Sequence, residues 1–213
     1  MRAYIIWTSL VLSVCFAHDG MSRNSLTRLL ILAYLALSLG LGRRLRPQGG
    51  AGLFVFVCVV SSLVVEFFYM FSRPVFPHLL FQPGDAATTV VYKTLVDWAF
   101  TAPAYVVIYA VFWRLLARYR YSLTEYVLLF SAGQALGDGN AFFLAQPGML
   151  LFIPYVMLNY QAINVLPYLW VRDRLQGQRL RGRWLVPLLV IPITYWVMGA
   201  CIQIAGKLCG LRP

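Results

Sequence analysis

Apolar residues run along this chain in long stretches, separated by short polar or arginine-bearing connections. Seven such stretches can be drawn, roughly 3–17, 27–42, 51–72, 88–113, 123–145, 149–171 and 184–206. About 20 apolar residues cross the hydrocarbon core of a bilayer as a helix. The last five stretches meet that length, 27–42 is short, and 3–17 is shorter still. The pattern predicts an all-α fold, a polytopic transmembrane helix bundle of seven spans forming one integral membrane domain over 1–213.

Segment 1–17 has a second reading. Met1-Arg2, then AYIIWTSLVLSVCFA ending on the small Ala17, has the layout of a secretory signal peptide. A retained first span is the preferred reading; a cleaved one leaves six spans. In both, His18 to Asn24 emerges outside.

The connection SRPVFPHLLFQPGDA, Ser72 to Ala86, is long for a hairpin. Val75, Phe76, Leu79, Leu80 and Phe81 suggest that 72–87 lies in the membrane interface as a re-entrant or surface segment. His78 and Asp85 would then sit over whatever opens on that side. Ser122 and Glu125 have capping-box spacing and mark the start of the fifth span. Pro103, Pro154, Pro167, Pro187 and Pro192 fall within spans and predict bends.

Composition strengthens the membrane reading. The chain is 61% hydrophobic and 12% charged, about half the charged share of a soluble domain. The net charge of +11 does not point to nucleic acid, because the basic residues sit in three short connections. These are Arg43, Arg44 and Arg46; Arg114, Arg118 and Arg120; and Arg172, Arg174, Arg179, Arg181 and Arg183. Placed on the cytoplasmic side of a plasma or inner membrane, they make every crossing alternate correctly. With segment 1 retained the N-terminus is then cytoplasmic, and the C-terminus is outside. Trp113, Trp170 and Trp184 fall at the inner ends of their spans, where an aromatic belt belongs. The same arginines suit anionic lipid headgroups, so membrane lipids are expected partners.

Of seven acidic residues, Glu66, Asp97 and Asp138 lie within spans. Each costs about 2.5–3.5 kcal/mol at mid-membrane on insertion scales. All three fall in the outer half of their spans, as do Lys93, Gln134, Asn140, Asn159, Gln161 and Gln203. This shared depth predicts a polar chamber open to the outer face. Asp138, Glu66 and Asp97 are its candidate catalytic acids and bases. Lys93, Gln134, Asn140, Asn159, Gln161 and His78 are its candidate substrate-binding residues. Lys93 and Asp97, at i and i+4, are placed to pair; the other use of Lys93 is to meet a carboxylate of another helix or an anionic substrate group.

GQALGDGNAFF, Gly133 to Phe143, holds the least usual of these positions. Gly133 and Gly137 form a GxxxG face that admits a close neighbour. Gly137 and Gly139 flank Asp138, and each disfavours helix by about 1 kcal/mol relative to alanine. Helix should therefore break readily there. NYQAIN, Asn159 to Asn164, puts four polar side chains into six residues of a span; Asn159 and Gln161 cannot share one narrow face, so at least one is expected to bond a neighbouring helix.

No zinc spacing, P-loop, dinucleotide fingerprint or nucleophile elbow occurs. No metal and no cofactor is expected. Cys15, Cys201 and Cys209 fall toward one side, where a disulfide is open to them. QPG recurs at 82–84 and 146–148, and the same offset aligns Asp97 with Gln161 and Pro103 with Pro167, a weak sign of duplicated hairpins. Three functions fit these features. The first is a membrane-embedded enzyme acting on a lipid or isoprenoid-type substrate. The second is a small-solute or proton-coupled carrier; for either, a lipid-like or small anionic substrate is an expected partner. The third is a non-catalytic subunit with a protein partner in the membrane.

Overall fold

A computed structural model describes residues 2–45, 47 and 49–211, apart from the side chains of 140–142. Arg46 and Arg212 lie outside the described residues. Eight α-helices follow in order among the described residues: α1 (Arg2–Asp19), α2 (Arg23–Arg44), α3 (Ala51–Tyr69), α4 (Ala87–Arg118), α5 (Leu123–Asp138), α6 (Asn140–Ala145), α7 (Ile153–Val171) and α8 (Leu185–Leu208). There is no strand among the described residues, only one isolated bridge between Tyr119 and Gln178.

Local chemistry sets the helix ends. Gly20, at φ +54°, makes the turn between α1 and α2, a backbone that a side chain would strain. Ser22 caps α2 by accepting from the Ser25 N–H at 3.3 Å. The capping box before α5 is complete: Ser122 Oγ accepts from the Glu125 N–H, and the Glu125 carboxylate accepts from the Ser122 N–H. Pro154 sits in the first turn of α7, where its missing N–H costs nothing. Pro103, Pro167 and Pro192 lie inside α4, α7 and α8.

Among the described residues, five helical stretches are long and apolar enough to cross a membrane: α2, α3, α4, α8, and α7 with its flanking turns, Pro147–Arg174. The first and fifth of the seven expected spans fall outside this set. α1 has Arg2, His18 and Asp19 within 18 residues. α5 stops after 16 residues, about 24 Å of helix, because the helix breaks at Gly139. The exposed apolar surface agrees with a lipid surrounding. Leu189, Ile193 and Trp196 on α8, and Ile5, Ile6 and Leu10 on α1, are all exposed, and a patch of that extent is costly against water.

α7 is the hub of the bundle. It packs against α1, α2, α3 and α5, and from Met157 to Tyr168 every residue is buried. This explains its lack of an apolar stripe: a helix enclosed on all faces presents its polar side chains to other helices. α8 packs against α5 and α4, and α3 against α4. The GxxxG face of α5 meets α8. A Cβ on Gly133 would come within 2.8 Å of the Pro187 carbonyl oxygen, and one on Gly137 within 2.6 Å of Tyr195 Cβ and 2.8 Å of Pro192 Cα.

The connection 72–87 departs from expectation. Phe76, Leu79 and Phe81 are buried in the protein with Met70, packed by Phe67, Phe100 and Ile202. Phe81 N–H bonds the Met70 carbonyl at 2.9 Å, and Arg23 reaches the Phe81 carbonyl at 3.0 Å. The segment forms a small second core at the end of α3 and α4, and these three side chains turn inward. The arginine-rich end is tied differently: Arg183 pairs with Glu125 at 2.5 Å, and Arg120 N–H bonds the Gln178 carbonyl at 3.0 Å. All four cysteines are free. After the two QPG tripeptides, the helices begin at Ala87 and Ile153 and run for 32 and 19 residues, so the hairpins differ in length.

Candidate functional site

Two polar groupings occupy the bundle. One is a layer of amides and tyrosine hydroxyls. Gln134 on α5 donates to Tyr195 on α8 at 2.5 Å and to Tyr109 on α4 at 3.5 Å. Its carbonyl oxygen accepts from Asn164 on α7. Tyr109 in turn shares a hydrogen bond with Ser62 on α3 at 2.8 Å. Two further amides of α7 extend the pattern: Asn159 donates to Tyr69 on α3, and Gln161 donates to Tyr4 on α1 at 2.5 Å. Each amide therefore reaches a different helix. Gln134, Asn159 and Gln161 tie helices together, and all three are buried. Below this layer, toward the arginine-rich end, the interior is filled by rings. Phe112 meets Phe130 at 5.0 Å, and Tyr126 stacks on Tyr168 at 4.2 Å.

The other grouping is acidic and lies toward the opposite end. Glu66 on α3 is within electrostatic reach of Asp97 on α4 and Asp138 on α5. The three acids predicted from sequence are thus brought together by three helices. Glu66 accepts a hydrogen bond from the Tyr105 hydroxyl. Asp138 lies within electrostatic reach of Tyr160 on α7, Tyr69 on α3 and Tyr195 on α8. Asp138 is nonetheless exposed. Groups of α3, α7 and α8 stand around it. Asp97 is the reverse case: it is 0% exposed, and neither carboxylate oxygen has a hydrogen-bond partner.

The local backbone explains the position of Asp138. It is the last residue of α5, and Gly139 follows at φ −88°, ψ 10°, outside helical geometry. Gly139 N–H still bonds the Ala135 carbonyl, and the Phe143 N–H bonds the Gly139 carbonyl, so α6 restarts at once. The break places Asp138 at a helix end. The Asn140 side chain lies outside the described residues.

Lys93 does not pair with Asp97. Its ammonium reaches Asp85 at 2.7 Å and the Leu80 carbonyl at 2.9 Å. The long side chain extends toward the connection 72–87, where it finds a carboxylate that also accepts from the Gln82 N–H at 2.8 Å. Those two interactions, the backbone one first, hold the Asp85 carboxyl below its usual range. Lys93 is thereby engaged in closing the connection. His78 is exposed in a short turn and packs its ring 6.1 Å from Phe76, with no described bond to the three acids.

Two elements of the site escaped the sequence reading. The tyrosines carried no expectation, although Tyr105 and Tyr109 share a face at helical spacing. Arg28 was the other. It lies near the start of α2, only 8% exposed. It is ion-paired with Asp19 and stands over the Tyr155 ring at 4.9 Å. An arginine inside an apolar run was a usable signal. No group of three or more metal-binding side chains occurs among the described residues. No protein-family model, characterised protein or solved structure matches the chain.

Proposed function

We propose that the chain is a membrane-embedded enzyme whose acid–base site opens at the end away from the arginine clusters and acts on a lipid or isoprenoid-type substrate. One observation carries the reading: carboxyls of three helices converge, with the outermost, Asp138, exposed at a helix break. Counted with α1 and the broken α5–α6 pair, the helices cross the membrane seven times. The arginines then lie inside and the site faces out. Asp138 meets substrate and transfers the proton, beside Tyr160. Glu66, held by Tyr105, is the second acid. The aromatic packing beneath the amide layer favours a one-sided site over a path through the bundle.

The test is mass spectrometry of what co-purifies with the protein in native lipid discs, wild type against Asp138→Ala. The reading predicts a lipid or isoprenoid species enriched in the wild type and lost from the variant. Identical lipid profiles would count against it.

The helix break at Gly139 favours a second reading, a proton-coupled carrier, since broken helices beside membrane carboxylates suit alternating access. Proton uptake by sealed proteoliposomes on addition of solute, abolished in Asp138→Asn, would select it.

A further inference from the structure

The arginine-rich end of the bundle holds a hollow that neither the acid cluster nor the amide layer uses. It measures about 360 Å³ and is lined by Ala117 and Arg118 at the end of α4 and by Gln176, Gly177, Gln178 and Leu180 of the connection before α8. That volume lies within the roughly 300–1,000 Å³ of small-molecule sites. The backbone builds it. The Gln178 N–H donates to the Arg118 carbonyl, and the Arg120 N–H to the Gln178 carbonyl, both at 3.0 Å. Gly177 lets the two segments touch, since a Cβ there would stand 2.5 Å from the Tyr119 carbonyl carbon. The connection is thereby pinned beside the last turn of α4.

Charge at this end is unbalanced. Among the described residues it carries two carboxylates, Glu125 and Asp173. Glu125 is taken by Arg183, and Asp173 by Arg172. Arg118, Arg120, Arg179 and Arg181 are exposed and have no carboxylate within ion-pair distance among the described residues. Arg118 is steadied instead by an aromatic face, its guanidinium lying 5.5 Å from the centre of the Tyr119 ring. The hollow therefore offers an unpaired guanidinium beside the amides of Gln176 and Gln178. A guanidinium meets phosphate oxygens through paired N–H bonds.

The surroundings narrow the source of the phosphate. Leu180, Trp184 and Leu185 are exposed, among Arg179, Arg181 and Arg183 in the sequence. Apolar side chains interleaved with arginines suit the boundary between headgroups and acyl chains. A soluble phosphate has no use for them.

We propose that this hollow binds the headgroup of an anionic phospholipid, with Arg118 on the phosphate, Gln176 and Gln178 on the headgroup hydroxyls, and Leu180 and Trp184 beside the acyl chains. It narrows the general expectation that these arginines meet anionic lipid to one seat with one guanidinium at its wall. The seat lies at the opposite end from the acid cluster and does not rest on the enzyme reading.

The test titrates the purified full-length protein, stripped of lipid in detergent, with phosphatidylglycerol and separately with phosphatidylcholine of the same chains. Bound lipid is counted by native mass spectrometry. Phosphatidylglycerol should bind and phosphatidylcholine should not. Arg118→Gln should weaken phosphatidylglycerol about fivefold, the worth of one arginine beside an anionic headgroup. Gln178→Ala, which keeps the backbone pairing, should weaken it about two- to threefold. Arg44→Gln changes an exposed arginine of α2 that does not line the hollow, and should have little effect. Asp138→Ala should have none, so that failure here and failure of the enzyme reading are told apart. An unfolding curve for each variant checks its fold. Equal binding of the two lipids would overturn the proposal. So would equal losses in Arg118→Gln and Arg44→Gln, which would mark a diffuse charge effect. Displacement of phosphatidylglycerol by equimolar glycerol 3-phosphate would overturn it too, assigning the hollow to soluble phosphates.

Discussion

The amide layer and the acid cluster are built from the same kind of material, polar side chains enclosed in an apolar bundle, and they differ in how far their needs are met. In the layer, Gln134 bonds three partners on three helices, and Asn159 and Gln161 each find a tyrosine hydroxyl. In the cluster, Glu66 lies within electrostatic reach of two further acids, one exposed and one with both oxygens unpartnered. A met polar group adds to stability; an unmet one subtracts from it. Burial alone therefore does not separate framework from function here. The state of the hydrogen bonds does so by degree, since the layer leaves Asn164 Oδ1 unpartnered where the cluster leaves both oxygens of Asp97.

The comparison can be broken most forcefully at the joint that both regions share. Gly137→Val forces side-chain atoms against Pro192 and Tyr195. Overpacking of this kind costs about 1–3 kcal/mol, and the backbone contact puts this site at the upper end. The expected result is a large fall in the midpoint of thermal unfolding in detergent. Gly199, with open space around its Cβ position, should accept alanine with little change.

The next effect sets the two regions directly against each other. Asn164→Leu removes the donor to the Gln134 carbonyl and should cost about 1–3 kcal/mol, the penalty for a buried acceptor left without a partner. Asp97→Asn replaces a carboxyl that has no partner, and should leave the unfolding midpoint unchanged or raise it. A fall on Asp97→Asn as large as that on Asn164→Leu would mean that the two regions are alike.

The smallest effects lie at the periphery. Arg183→Ala breaks a partly exposed ion pair with Glu125 and should cost about 0–1 kcal/mol, measurable as a small shift that salt diminishes. At the other end, Asp85 contributes through its ionised form. Its folded-state carboxyl is held below the ordinary range, so its contribution is fully present above the unfolded-state value and is lost as pH falls through the folded one. Asp85→Asn should abolish this part of the acid response, seen as a flatter dependence of unfolding on pH at the acidic limit.

The helices and three of the polar positions were legible in the sequence for a simple reason. Membrane lipid penalises polar groups so strongly that apolar runs and their rare interruptions stand out. Glu66, Asp97 and Asp138 were visible as exceptions, and Gly139 as a weak point. What the sequence could not supply was the choice among partners. Lys93 had Asp97 at helical spacing and Asp85 eight positions back, and the fold of the connection decided for Asp85. Phe76, Leu79 and Phe81 read as interfacial because nothing local distinguishes a ring that enters lipid from one that enters a second core. The tyrosines were silent because an apolar ring with a polar tip fits a membrane helix without further reason.

The central claim is that Asp138 opens to water at the end away from the arginines while the amide layer beneath it is closed. The most direct measurement is labelling by a membrane-impermeant thiol reagent in sealed vesicles, with single cysteines at position 138 or 134 in a chain whose native cysteines are replaced. The account predicts that Asp138→Cys is labelled from the side opposite the arginine clusters and from that side alone, and that Gln134→Cys is labelled from neither. Protection of Asp138→Cys from both sides, or labelling of Gln134→Cys from the arginine side, would contradict it.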